Sequence, residues 1–213
     1  MGEGRFKRIS ENASDPTQVL IEHEQPLTNE QLEANLRLNW ILRELFPKIY
    51  PDIYRIRHNN GQTAMIAERV PHDPDHSAIQ GFIHKLRKDP TLQATTDEQN
   101  AINSVKAKIN RPDVQEFISR MASAGISHEI GPQNFIFSED ESFRFVDMED
   151  AFISSDGTLS LTFDPNLLNA AINALEPPNK NRALKYFNEL LSFCQAGGAS
   201  LKNYKVTMSK VMS

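Results

Sequence analysis

Apolar positions recur along this chain with two periods, and the switches between them mark its elements. The run Gln18-Val19-Leu20-Ile21-Glu22 follows a polar turn and predicts a strand. Thr28-Asn29-Glu30-Gln31 then opens a helix in capping-box form, with Leu32, Leu36, Ile41, Leu42, Leu45 and Phe46 as its apolar face before Pro47 ends it. Strands over 53–56 and 63–70 flank Asn60-Gly61, the signal of a tight hairpin. Helical spacing returns over 77–88 and 98–109, broken between them by Asp89-Pro90 and Thr95-Thr96-Asp97. Asn110-Arg111-Pro112-Asp113 opens a further helix, whose Val114, Phe117, Ile118 and Met121 form one stripe until Gly125 stops it. Phe135-Ile136-Phe137 and Phe143-Arg144-Phe145-Val146 enclose the polar stretch 138–142 and read as a second hairpin. Asp164-Pro165 starts a helix through Leu175, and Asn179 begins another through Cys194 before Gly197-Gly198.

Antiparallel hairpins with one helix, followed by a mostly helical remainder, predict an α+β fold. At 213 residues and 39% apolar the chain can bury a real core, which we expect as two lobes around one cleft. A net charge of −5 with dispersed lysines and arginines argues against a nucleic-acid partner. The single cysteine, Cys194, falls on the apolar face of the last helix and reads as a packed thiol, which implies a reducing compartment or indifference to redox, with a cytoplasmic location as the expectation. No apolar run approaches the ~20 residues of a membrane span, and the charged N-terminus does not read as a secretory signal. His58, His72, His76 and His84 lack the spacing of a metal motif and read as surface residues.

Candidate chemistry concentrates in Ser127-His128-Glu129-Ile130-Gly131-Pro132-Gln133-Asn134 and in Asp147 thirteen residues beyond. Asn134 and Asp147 stand at the ends of the predicted strands 135–137 and 143–146, so the hairpin can bring two hard oxygen ligands together. An acid, an amide five positions on and a second acid after a strand pair is the layout of a phosphoryl-transfer site. Read singly, Asn134 and Asp147 are also ordinary turn residues.

These residues resemble the protein-kinase-like superfamily, including its aminoglycoside and choline kinase branch. There a loop of type HRDxxxxN or HGDxxxxN precedes a strand pair and a DFG or IDxE element. Setting Asn134 on the family asparagine puts Glu129 at the catalytic aspartate, Ser127 at the leading histidine, Pro132 at a common proline and Asp147 at the metal-binding aspartate. Glu129 keeps the charge but lengthens the arm, and Met148-Glu149 in place of Phe-Gly looks closer to the small-molecule branch.

Gly2-Glu3-Gly4-Arg5-Phe6-Lys7-Arg8-Ile9 resembles the phosphate-covering glycine loop, and 18–22 then takes the place of the third N-lobe strand. That strand ends in Glu22-His23-Glu24 where the family has its phosphate-binding lysine. The with-no-lysine kinases supply the cation from a GxGxFK motif on the second strand, and Lys7 holds that place here. The resemblance makes 29–46 helix C, with Glu33 or Glu44 as the acid partner of Lys7. It makes Ala67 the gatekeeper and Glu68 to Val70 the hinge, and it places Gly2, Gly4, Lys7, Ile9, Leu20, Glu68 and Val70 around a nucleotide.

The resemblance covers roughly residues 2–155. It implies a minimal bilobal kinase-like fold, with an antiparallel N-lobe sheet and helix C over 1–70 and a reduced helical C-lobe over 71–213. The implied function is ATP- and magnesium-dependent phosphoryl transfer to a protein or small-molecule hydroxyl. Glu22 and Glu129 leave open a pseudokinase that serves as an interaction module, and the altered loop also leaves transfer of AMP open. The small size and trimmed C-lobe are typical of bacterial effectors delivered into host cells.

Overall fold

Residues 7–23, 27–59, 62–71, 73–128, 130–140, 142–147, 150–155 and 158–206 are described by a computed structural model, with backbone alone at 7, 8, 23, 55–59, 62, 63 and 153–155. The architecture is mixed α and β, with an antiparallel sheet in the N-terminal part and helices following it. Strands β1 (Lys7–Glu11), β2 (Gln18–His23), β3 (Ile53–Asn59) and β4 (Gln62–Glu68) form one sheet in the order β1-β2-β4-β3. Helix α1 (Asn29–Leu45) lies between β2 and β3 in sequence. Its start is the expected capping box: the Thr28 hydroxyl accepts the Gln31 N–H at 3.2 Å, and Gln31 Oε1 accepts the Thr28 N–H at 3.2 Å.

Helices α2 (Pro74–Lys88), α3 (Thr96–Ile109) and α4 (Pro112–Ser123) come next. Helix α2 begins three residues earlier than its apolar spacing predicts, because Asp73 caps it and Pro74 takes the first-turn position where a missing N–H costs nothing. A single 3-10 turn, Pro132–Asn134, leads into the hairpin β5 (Phe135–Phe137) and β6 (Phe143–Phe145). A third hairpin, β7 (Phe152–Ser155) with β8 (Thr158–Leu161), was absent from the pattern reading, although Asp156-Gly157 is a hairpin signal. Helices α5 (Pro165–Asn173) and α6 (Asn179–Ala196) close the fold.

Burial divides into two apolar clusters, and α1 contributes to both. The smaller joins the sheet residues Ile21, Ile53, Met65 and Ala67 to Leu36, with Val19 and Trp40 packed on it. The larger gathers Leu38, Ile41, Leu42 and Leu45 of α1 with α4, α5, α6 and the β5–β6 hairpin. At its centre Phe145 is fully buried, its ring 5.1 Å from Phe135, 5.4 Å from Phe117 and 5.6 Å from Tyr50. Cys194 is buried in this cluster as expected, and burial pushes its thiol up to about 12. Among the described residues no helix is long and apolar enough to cross a membrane.

Candidate functional site

Helix α4 ends at Gly125, whose φ of +70° suits glycine and whose missing side chain leaves room for Leu167 and Asp164 at the start of α5. Any Cβ there would lie 2.8 Å from that of Leu167 and 2.9 Å from that of Asp164. This close approach aims the chain into 127–134. His128 is buried, and because a carbonyl can only accept, its Nδ1–H donates to the Ile126 carbonyl at 3.0 Å. Burial is the main effect on this imidazole and pushes its pKa below the ordinary value, partly offset by that hydrogen bond. Glu129 lies outside the described residues.

The 3-10 turn and the hairpin then do what the sequence predicts for Asn134 and Asp147. The Asn134 N–H donates to the Gly131 carbonyl at 3.0 Å, and its own carbonyl accepts the Val146 N–H at 2.9 Å. With Phe135 paired to Phe145, Asn134 and Asp147 flank the hairpin mouth, and Asn134 Nδ2 lies 3.4 Å from Asp147 Oδ2. Asn134 is 9% exposed and Asp147 is half-buried.

The outer edge of β5 is held by side chains of α2. Asp73 accepts the His76 N–H at 2.6 Å through one carboxylate oxygen and the Phe137 N–H at 2.9 Å through the other. His76 Nδ1–H donates to the Phe135 carbonyl at 3.2 Å, and Gln80 donates to the Gln133 carbonyl at 3.1 Å. This corrects the surface reading of the histidines: His76 is 3% exposed because its ring satisfies a strand-edge carbonyl that no neighbouring strand reaches. The clamp ties the Asn134 turn to the helix that directly follows 68–71.

That segment is itself anchored. The Glu68 N–H donates to the Asp52 carbonyl at 2.7 Å and the Arg69 N–H to the Thr17 carbonyl at 2.8 Å. The Glu68 carboxylate takes the Asp52 N–H at 2.9 Å and pairs with Arg144 of β6, whose other guanidinium nitrogen donates to the Lys48 carbonyl at 3.0 Å. Glu68 thus spends its side chain joining the sheet to the β5–β6 hairpin. Val70 beside it is half-buried.

The α1 acids face away from this region. Glu33, Arg37, Trp40 and Glu44 share one helical face, and that face meets α6. Arg37 pairs with Glu33 at 2.7 Å and also with Glu189, the Trp40 ring lies tilted against that of Tyr186 at 5.0 Å, and Arg182 forks onto Glu44 at 2.7 and 2.8 Å. The residue that α1 turns towards the Asp147 segment is Asn35, which is fully buried against Asp150 and Ala151. Sequence reasoning missed it, although an amide amid Leu32, Leu36 and Leu38 is a polar interruption of an apolar face.

In the sheet, Lys7 stands opposite His23, and Glu22 stands opposite both Arg8 and Ala64. Ile9 is 64% exposed opposite Ile21, while Leu20 is half-buried between Ser10 and Ile66. Gly2 and Gly4 lie outside the described residues, and so does the side chain of Lys7.

No protein-family model and no curated protein matches the chain. Among solved structures, the GDP and kanamycin complex of APH(2")-IIIa matches at 12% identity over 92% of this chain and 82% of that one, with a TM-score of 0.37. The GDP complex of a mutant aminoglycoside phosphotransferase IIIa matches at 12% identity over 92% and 81%, with a TM-score of 0.31. At these values the likeness is too distant to carry an argument, and the functional reading rests on the site.

Proposed function

We propose that this chain is a kinase-like phosphotransferase that binds ATP with magnesium in a cleft between lobes 1–70 and 71–213, and passes a phosphoryl group to a hydroxyl acceptor. What carries the reading is the Asn134–Asp147 pair at the mouth of a hairpin clamped to the helix that follows the hinge segment. Among the described residues no cluster of three His, Cys, Asp or Glu side chains converges as a metal cage. Magnesium suits this arrangement, since it keeps waters and substrate phosphates as ligands and takes only one or two protein oxygens. Asn134 and Asp147 would hold it, and the ion would neutralise charge on the phosphates.

The remaining roles follow from position. Glu129 would orient the acceptor hydroxyl. The adenine edge would meet the backbone near Val70, since the N–H groups of Glu68 and Arg69 are already taken. Gly2, Gly4, Ile9 and Leu20 would line the nucleotide, and Lys7 would hold its phosphates. Pairing of β1 with β2 puts Lys7 at the opposite end of β2 from Gln18, which pairs with Glu68, so five residues of strand separate cation from hinge, about 16 Å for an elongated ligand to span. Glu33 and Glu44 are engaged by Arg37 and Arg182, so this reading assigns them to holding α1 on α6. The alternative of an interaction module draws on Glu22 and Glu129, each unlike its family counterpart. The bacterial-effector reading, with action inside a host cell, draws on the small size and the reduced C-lobe.

Lys7 separates a working site from a relic. Lys7→Ala is expected to weaken nucleotide affinity about tenfold, the equivalent of about 1.4 kcal/mol of lost phosphate contact, as measured by calorimetric titration of ATP with magnesium. Glu22→Ala should be mild or favourable, because it removes a negative charge from the phosphate end of the sheet. Wild-type affinity in Lys7→Ala, with losses at Arg5 or Arg8 instead, would reduce the loop to a basic terminus.

A further inference from the structure

We infer that Asn35 is a positioning residue that sets the Asp147 segment for metal binding, and so couples α1 to the site through an amide. The inference rests on the phosphotransferase reading above. Asp150 and Ala151, three and four residues past Asp147, are gripped from two sides. Asn35 Nδ2 donates to Asp150 Oδ1 at 2.9 Å, and Asn35 Oδ1 accepts the Ala151 N–H at 2.8 Å. From the other side, Thr162 Oγ1 donates to the Asp150 carbonyl at 2.5 Å, and the Thr162 N–H donates to the Ala151 carbonyl at 3.2 Å.

The amide is required in one orientation only. A backbone N–H needs an acceptor and a carboxylate needs a donor, and the asparagine amide offers the two on separate atoms that reach both partners at once. Asn39 fixes the helix beneath it, donating from Nδ2 to the Asn35 carbonyl at 2.8 Å. Two buried asparagines one turn apart are a costly use of a helix face unless they are hydrogen-bonded; here Asn39 bonds back to the Asn35 carbonyl, and both ends of the Asn35 amide go to Asp150 and Ala151. With the carbonyls on either side of Asn134 held by α2, and Asp150 and Ala151 beyond Asp147 held by α1, the chain is fixed on both sides of the proposed ligand pair. Partners that orient ligands in this way set metal affinity.

The test is magnesium dependence of ATP binding, followed by calorimetry, with nucleotide affinity without metal and melting temperature measured alongside. Asn35→Asp keeps the acceptor for Ala151 but sets a carboxylate against Asp150. It is expected to raise the magnesium concentration for half-saturation about tenfold or more, while affinity for ATP without metal stays within about twofold. Swapping the groups, Asn35→Asp with Asp150→Asn, restores a donor and an acceptor at the contact. It should return the magnesium requirement to within about threefold of wild type, a rescue that general loosening of the helix would not give. If Asn35→Asp does not fold, Thr162→Val, which releases the same peptide from the opposite side, is expected to shift the magnesium requirement in the same direction. An unchanged requirement in a folded Asn35→Asp or Thr162→Val, or an equal loss with and without metal, overturns the role of Asn35. Absence of any magnesium-dependent ATP binding in the wild type overturns the phosphotransferase reading itself, and with it this role.

Discussion

Asp147→Ala is expected to abolish the magnesium-dependent part of nucleotide binding and to leave the protein folded. Asp147 supplies the one anionic oxygen group of the proposed ligand pair, and Asn134 alone offers a single neutral amide oxygen. Magnesium gives up hydration reluctantly and needs charge to hold it, so half of this pair is not a weaker site but no site. The structural cost is modest by comparison. Asp147 is half-buried and lies beyond the last residue of β6, so its removal forfeits hydrogen bonds worth about 1 kcal/mol each and opens no core cavity. ATP titrations of the variant with and without magnesium should therefore coincide, at a melting temperature near that of the wild type. Metal-dependent binding retained in full would mean that the cation is held elsewhere.

Phe145→Ala, two residues earlier, should do the reverse and strike stability first. Phe145 is fully buried among Phe135, Phe117 and Tyr50, with rings 5.1 to 5.6 Å away, and its N–H donates to the Ile49 carbonyl at 3.0 Å. Deleting a ring from such a cluster costs about 3–5 kcal/mol, because the lining cannot collapse into the space. That is a large part of the stability of a chain this size. Urea unfolding should show the midpoint falling at nearly constant slope, and a midpoint within error of the wild type would contradict the packing described here. Since the same strand delivers Asp147, nucleotide binding should weaken as a consequence, in proportion to the unfolded fraction.

What the sequence made legible was local. The Thr28 capping box, the hairpin around 138–142 and the pairing of Asn134 with Asp147 each depend on residues a few positions apart, or on one turn that folds two strands together. The β7–β8 hairpin is local too, and Thr158-Leu159-Ser160-Leu161 does alternate, but two strands of only four residues each give a periodic signal too short to stand out. Long-range partners left no such trace. Helical spacing puts Glu33 and Glu44 on one face with Arg37 and Trp40, yet nothing in that period says that the facing surface is α6, beginning well over a hundred residues later. His76 reads from the sequence as a surface residue because its partner, the Phe135 carbonyl, is 59 positions away and belongs to a strand edge that exists only once the hairpin is formed. Asn35 is the same case over 115 positions. Its polarity within an apolar face was readable, but its purpose was not.

The proposed function requires this fold to bind a nucleotide through a metal held at Asn134 and Asp147. Its most direct test is thermal unfolding of the wild-type chain across an ATP titration, in magnesium and in chelator. A ligand that binds only the folded state, present at a hundred times its dissociation constant, stabilises by about 2.7 kcal/mol. For a chain of 213 residues that corresponds to a rise of several degrees, at roughly 2–4 °C per kcal/mol. The account predicts that rise with magnesium and a much smaller one in chelator. An unchanged melting temperature at millimolar ATP with magnesium would contradict it and leave the fold as an interaction module.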